Sequence, residues 1–195
     1  IAQRELSFPV LLQWWRQQND KNHHVFAALN DAAVGAKFSA DEIARQIQIV
    51  RAQSGNSGEI HYHLRSVLEN SALAAAVRAQ YAQPALVPAA TWLDATPPEK
   101  PKLTVAGGKN STAIRWENGG GEPAQSWVLQ ICRGQLWTTE ILPAGQTSRT
   151  LEISRPDAVS LRAVDRAGNM SSPTVLVPRK YSSAPDIKGG TKLMK

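Results

Sequence analysis

Residues 94–101, D-A-T-P-P-E-K-P, decide how this chain must be divided. Pro97, Pro98 and Pro101 lack an N–H, so the stretch can neither continue a helix nor donate to a sheet ladder; it favours an extended spacer. The two sides of it are written differently. Upstream, to Asp94, the chain is rich in Ala, Gln and Leu with helical spacing broken by short β-like runs. Downstream, from Lys102 to Pro178, apolar and polar residues alternate among frequent Gly, Pro, Asn and Ser. The expected organisation is a first domain over 1–94, a linker over 95–101, a second domain over 102–180 and a flexible basic tail over 181–195.

The second half offers seven candidate strands: 102–105, 112–116, 126–132, 136–141, 150–153, 158–164 and 174–177. Turn sequences separate them, notably N-G-G-G-E-P at 118–123 and D-R-A-G-N at 165–169. Short strands at this spacing predict a two-sheet sandwich. Trp116 belongs in its core, as do Val159, Leu161 and Ala163, which alternate along one strand. If the sandwich is a binding module, Trp127 and Trp137 would be its exposed aromatics.

In the first half, Phe8 to Gln18 suits a helix with Pro9 in its first turn. Of Trp14 and Trp15, one should face the core and the other a cleft or a partner. The run His24 to Val34 suits a strand followed by a loop, the polarity switching at Asn30 and Asp31. Ser39 with Glu42 three residues on predicts a capping box for a helix through Ala52, whose Ile43, Ile47 and Val50 form one stripe. Gly55 and Gly58 should end it and release a strand over Ile60–Leu64. A further helix, capped at Asn70 or Ser71, carries Leu73, Val77 and Tyr81 at helical spacing. Strand, helix, strand, helix is the rhythm of a parallel sheet.

Composition narrows the function classes. The 195 residues are 42% hydrophobic, with a net charge of +6. The basic excess is dispersed or lies in the tail, and no compact Lys/Arg block with interleaved aromatics argues for nucleic acid. No run of eighteen apolar residues argues for a transmembrane segment. The opening I-A-Q-R-E carries neither an initiator methionine nor a signal peptide, so a start in mid-protein is expected. Cys132, the single cysteine, excludes an internal disulfide and reads as a packed or surface thiol.

In G-E-I-H-Y-H-L-R-S, residues 58–66, His61 and His63 stand two apart in a β-like run. An extended chain would put both imidazoles on one face, where they could share a metal ion. The alternative is a strand with a polar face. A zinc site needs further ligands, and the other histidines are His23 and His24. A metal-dependent hydrolase is therefore the weaker reading, and neither a metal nor a cofactor is expected.

The first half resembles the C-terminal end of the catalytic domain of glycosyl-hydrolase-like family 10, a TIM barrel of bacterial envelope proteins. The matching stretches are F-P-V-L-L-Q-W-W, H-V-F-A-A-L-N-D-A-A-V-G, S-A-D-E-I-A-R-Q-I-Q-I-V-R, S-G-E-I-H-Y-H-L-R-S-V-L-E-N and Y-A-Q-P-A-L-V-P-A-A-T-W-L-D, in that order. The second half resembles a fibronectin type III domain, on a strand ending I-R-W and on A-V-S-L-R-A-V-D-R-A-G-N-M-S-S. The fold so implied is α/β plus all-β: the last βα units of a TIM (β/α)8 barrel followed by a fibronectin type III-like β-sandwich.

The resemblance makes Val25–Leu29 the seventh barrel strand and Ile60–Leu64 the eighth. It implies a polysaccharide substrate, the glycan strand of peptidoglycan, and a lipoprotein of the periplasm held to the outer membrane and active in cell division. A whole barrel takes ~250 residues, and the main catalytic carboxylates would lie in strands upstream of Ile1. Glycoside hydrolysis normally uses two carboxyl groups. Of the acids present, Asp41 and Glu42 start a helix and Glu59 precedes a strand, which leaves Asp31 to cap a loop or contact sugar. Asn30, Asp31, His63, Arg65 and Ser66 are the candidate substrate-binding residues, with no catalytic residue assigned. His61 reads as structural, and Trp92 as sealing the barrel or stacking on sugar. The rival class is a carbohydrate- or protein-binding envelope module, in which Trp127 and Trp137 of the sandwich would meet glycan or an envelope protein partner.

Overall fold

The computed structural model describes residues 7–53, 58–107, 110–153 and 155–177. The first helix, α1 (Phe8–Gln17), opens with Pro9 in its first turn, where the missing N–H would have had no partner. Strand β1 (Phe26–Asn30) runs into a 3-10 turn over Asp31–Ala33, followed by α2 (Ala40–Ala52) and strand β2 (Gly58–Tyr62). β1 and β2 pair in parallel from Phe26↔Gly58 to Asn30↔Tyr62, so β1–α2–β2 is a βαβ unit. The helices α3 (Leu64–Glu69) and α4 (Ser71–Gln80) complete this half.

Its core is the layer between the strand pair and the helices. Leu29, Ile43, Ile47 and Leu73 are fully buried there, with Phe8, Val34, Val67 and Val77 packed around them. The α2 stripe of Ile43, Ile47 and Val50 is buried as its spacing requires. The opposite face of the strand pair is open: Phe26, Ile60 and Tyr62 are exposed. Among the described residues neither outer edge of the pair carries a further strand.

Four local expectations need correction. Ser39 is the N-cap residue of α2, yet its side chain makes no capping bond; the Glu42 carboxylate accepts instead from Arg45 (2.6 Å) and Gln46 (3.1 Å), one turn ahead. Neither Trp14 nor Trp15 enters the core. Leu12, in register with Phe8 one turn earlier, takes that face, and the two indoles stack edge to face on the surface with centroids 5.0 Å apart. The second strand is Gly58–Tyr62 rather than Ile60–Leu64, because His63 leaves the ladder to cap α3, its Nδ1 accepting from the Ser66 N–H at 3.3 Å. His61 and His63 therefore do not share a strand face. Gly55 lies outside the described residues. Asn70 caps α4 as expected, accepting from the Leu73 N–H at 3.0 Å.

The second half is a seven-stranded sandwich. One sheet contains β3 (Lys102–Gly107), β4 (Thr112–Glu117) and β7 (Ser148–Leu151), in that order. The other runs β6 (Leu136–Pro143), β5 (Ser126–Arg133), β8 (Ala158–Val164) and β9 (Thr174–Leu176). All neighbours are antiparallel. Period-2 alternation puts Trp116, Leu129, Ile131, Val159, Leu161 and Ala163 into the space between the sheets. Trp127 joins them, against expectation. It lies two residues before Leu129, on the inner face, is only 3% exposed, and its indole N–H donates to the Ala144 carbonyl at 3.1 Å. Trp137 is on the outer face and 50% exposed. Cys132 is a buried free thiol.

The connecting segment is bonded to both halves. The Ala90 N–H donates to the Ala167 carbonyl (2.7 Å), and Asn169 Nδ2 donates to the Asp94 carbonyl (2.9 Å). On the other side His24 Nε2 lies 3.1 Å from the Ala89 carbonyl, and the Trp92 ring packs on both His23 and His24, with centroids 4.6 and 4.5 Å away. The Thr174 hydroxyl bonds to the Pro101 carbonyl.

Truncating either core should tell the halves apart. Leu161→Ala in the sandwich and Ile47→Ala in α2 should each cost about 2–5 kcal/mol through the cavity left behind. Urea unfolding followed by native amide signals of β8 and of β2 measures each loss in its own half.

Candidate functional site

Two elements of the first half carry its polar chemistry: the C-terminal end of the strand pair and the helix-facing side of β2. The register Leu29↔His61 places His61 beside fully buried Leu29, on the face turned to the helices. Asp31 follows two residues after Leu29, and its Oδ2 meets His61 Nδ1 at 2.8 Å. The Asp31 side chain is 0% exposed, and its Oδ1 is buried without a hydrogen-bond partner. Burial raises the Asp31 carboxyl above its usual value, against the opposing pull of the His61 hydrogen bond and charge and of the charge on His63.

The chain of contacts continues. His61 Nε2 lies 3.1 Å from the Tyr81 hydroxyl, which in turn donates to Glu59 Oε1 at 2.5 Å. Glu59 shares its strand face with His61, two residues away, and its side chain is only 4% exposed. Arg51, from the last turn of α2, stands 3.5 Å from Glu59, donates to the Gln80 carbonyl at 2.6 Å, and lies over the Tyr81 ring at 4.8 Å. Burial, then the hydrogen bond and charge of Glu59, push the Tyr81 phenol up, against the lowering effect of Arg51.

The candidate substrate-binding residues fall into two groups. Asn30 is exposed at the end of β1, and His63, Arg65 and Ser66 begin the turn into α3 at the end of β2. The Asn30↔Tyr62 pairing makes those two strand ends neighbours. Ser66 Oγ lies 3.3 Å from His63 Nδ1, and Arg65 is held loosely by Glu69 at 3.6 Å. Asp31 sits apart from this rim, turned inward to His61. Among the described residues, no group of three or more His, Cys, Asp or Glu side chains converges to hold a metal ion. No described helix is long and apolar enough to cross a membrane.

Glu59 and Tyr81 join the site although neither is among the candidate residues that the sequence offers. The signals for both were present: Glu59 and His61 are two apart in a strand, and Tyr81 continues the Leu73–Val77 stripe towards the sheet. A second feature without a sequence signature is a cleft of ≈ 430 Å³ between α1 and β1, lined by Phe8, Leu11, Trp15 and Phe26 among others.

What the fold and this polar end define is a parallel βαβ piece joined to a β-sandwich. Set against known proteins, the chain is similar to a glycosyl hydrolase. Over 122 residues it is 32% identical to Glycosyl hydrolase YngK of Bacillus subtilis (strain 168), an alignment covering 56% of this chain and 23% of that protein. The chain thus spans under a quarter of the length of the curated relative it matches. No family model matches the chain. Among solved structures, the spore cortex lytic enzyme SleM of Clostridium perfringens is 16% identical, covering 42% of this chain and 29% of its own, with a TM-score of 0.33. The glycoside hydrolase domain of Endo-D from Streptococcus pneumoniae R6 is 16% identical over 42% of this chain and 15% of its own, with a TM-score of 0.33. FN3tt is 17% identical over 41% and 90%, with a TM-score of 0.32. These structural likenesses are too slight to carry an argument.

The buried pair makes a test by double substitution. His61→Ala leaves the Asp31 carboxylate without its partner and should destabilise the first half by about 3 kcal/mol. Adding Asp31→Asn, which removes the charge, should recover most of that loss in urea unfolding monitored on β2.

Proposed function

We propose that this chain is the C-terminal portion of a bacterial cell-wall glycoside hydrolase of glycosyl-hydrolase-like family 10. On this reading residues up to Asp94 are the last βα units of a TIM barrel, and the sandwich is a fibronectin type III-like accessory domain. The observation that carries it is the β1–β2 pair: parallel strands, a helix layer on one face, and Phe26, Ile60 and Tyr62 exposed on the other. Parallel sheets are stable when both faces are covered, and a barrel interior supplies that cover. The identity to YngK supports the same reading.

In such a barrel the substrate binds at the C-terminal ends of the strands. Asn30, His63, Arg65 and Ser66 stand there and offer an amide, an imidazole, a guanidinium and a hydroxyl to sugar hydroxyls. Asp31 belongs to the same end but acts from behind, through its hold on His61. The carboxylates that cleave the bond would come from the other barrel strands. The proposed substrate is the glycan strand of peptidoglycan, and the proposed location is the periplasm, at an outer membrane reached by a lipid anchor. An envelope protein is a proposed partner of the sandwich.

Incubated with purified peptidoglycan glycan strands, this chain by itself should release no new reducing ends, and release by it would overturn the assignment of the carboxylates. In a hydrolase containing the whole barrel, Asn30→Ala and Arg65→Ala should each lower kcat/KM about tenfold, as the loss of one hydrogen bond to substrate implies.

The second reading, a glycan-binding module, is favoured by Trp137, whose ring lies half exposed on the outer face of the sandwich. Glycan retention by the full chain that is abolished by Trp137→Ala would support it, and retention unchanged by that substitution would count against it.

A further inference from the structure

Asp31, His61, Tyr81 and Glu59 lie in one line of three hydrogen bonds: Oδ2 to Nδ1 at 2.8 Å, Nε2 to the phenol oxygen at 3.1 Å, and the phenol to Oε1 at 2.5 Å. Each bond needs one hydrogen. Tyr81 has a single hydroxyl hydrogen and gives it to Glu59, so His61 Nε2 must carry its own to reach the phenol oxygen. The Asp31–His61 bond needs a third, carried either on Nδ1 or on the carboxyl. The line therefore holds three protons, and its four groups together carry a charge of −1. Wherever the third proton sits, that total is unchanged.

Free in water at neutral pH, the same four side chains hold only two protons, one on the imidazole and one on the phenol, and their charge is −2. The cation that faces them is Arg51 of α2, 3.5 Å from Glu59, with His63 acting on Asp31 through space. With three protons, the line and Arg51 sum to zero charge. With two, a net negative charge would be left around Asp31 and Glu59, whose side chains are 0% and 4% exposed. Desolvation makes that the costlier arrangement.

We propose that this line is a proton-holding site, which takes up one proton when the first half folds at neutral pH. It lies directly behind Asn30, at the strand end that the proposed function uses, but it stands on its own geometry and holds whether or not the chain meets glycan. The direction of the pH effect follows: the folded form binds one proton more than the unfolded form, so stability falls as pH rises, and the unfolding constant grows by up to tenfold per pH unit. The raised Asp31 carboxyl acts in the same direction.

The test is urea unfolding of the full chain between about pH 6.5 and 8.5, followed by native amide signals of β2, with those of β8 as internal reference. The β2 unfolding constant should climb more steeply with pH than that of β8, by a factor approaching ten per unit. Tyr81→Phe severs the line between His61 and Glu59, removes the need for the extra proton, and should bring the two slopes together. Glu59→Gln is the second variant. Its amide can donate to the Tyr81 oxygen and let the phenol turn to Nε2, so it should also level the slopes. Equal slopes for β2 and β8 in the unsubstituted chain would overturn the proposal, as would an excess slope that persists in either folded variant.

Discussion

The parallel pairing of β1 with β2 is the constraint on which the polar end depends. It sets Leu29 beside His61 and gives both the same face, so the histidine is carried into the layer that the α2 stripe and Leu73 fill. Asp31, two residues further on, then has one direction in which to find a partner. A shift of one residue in this register would send Glu59 and His61 to the open face and leave the Asp31 carboxylate buried without a donor. Hydrophobic packing of the helix layer thus determines the geometry of a polar network, although none of the packing residues takes part in it.

The join between the two halves rests on the same kind of economy. A Pro-rich segment has few N–H groups to satisfy and readily lies extended, but here its carbonyls and the preceding residues are claimed from both sides. Ala167 and Asn169 of the turn before β9 hold Ala90 and Asp94, while His24 and Trp92 hold the segment to the entry of β1. Gly168 fits this approach closely: its φ is +87°, and a Cβ there would stand 3.0 Å from the Ala89 Cα. The turn sequence D-R-A-G-N consequently closes a hairpin and also docks the connector.

The strands of the sandwich were legible because alternation, turn residues and spacing agree with one another. All seven expected strands form, with ends that move by a few residues, and Ala158–Val164 falls on its expected bounds. The helix α2 was legible for the same reason, its stripe being a property of 3.6-residue spacing. What failed were choices between faces and between neighbouring partners. Trp127 and Trp137 both sit on strands of one sheet, and only pairing and register turn the first inward and the second out. The spacing of Glu42 from Ser39 predicts a cap, but Arg45 and Gln46 draw its carboxylate away. The β-like run predicts His63 in the strand, but a local bond from the Ser66 N–H takes it out of the ladder.

By itself, the sequence determined the sandwich strands, the α2 stripe and the spacing of polar residues such as Asp31, His61 and Tyr81 along the chain, because these follow from local order and backbone preference, but not the short helix α3, whose N-cap His63 lies in a β-like run. Only the tertiary structure decided which of those residues meet. Asp31 is 30 positions from His61, and His61 is 20 from Tyr81; no local pattern specifies such contacts. They arise when two parallel strands and a packed helix layer bring distant positions into one buried space, where an unpaired charge is too costly to leave alone.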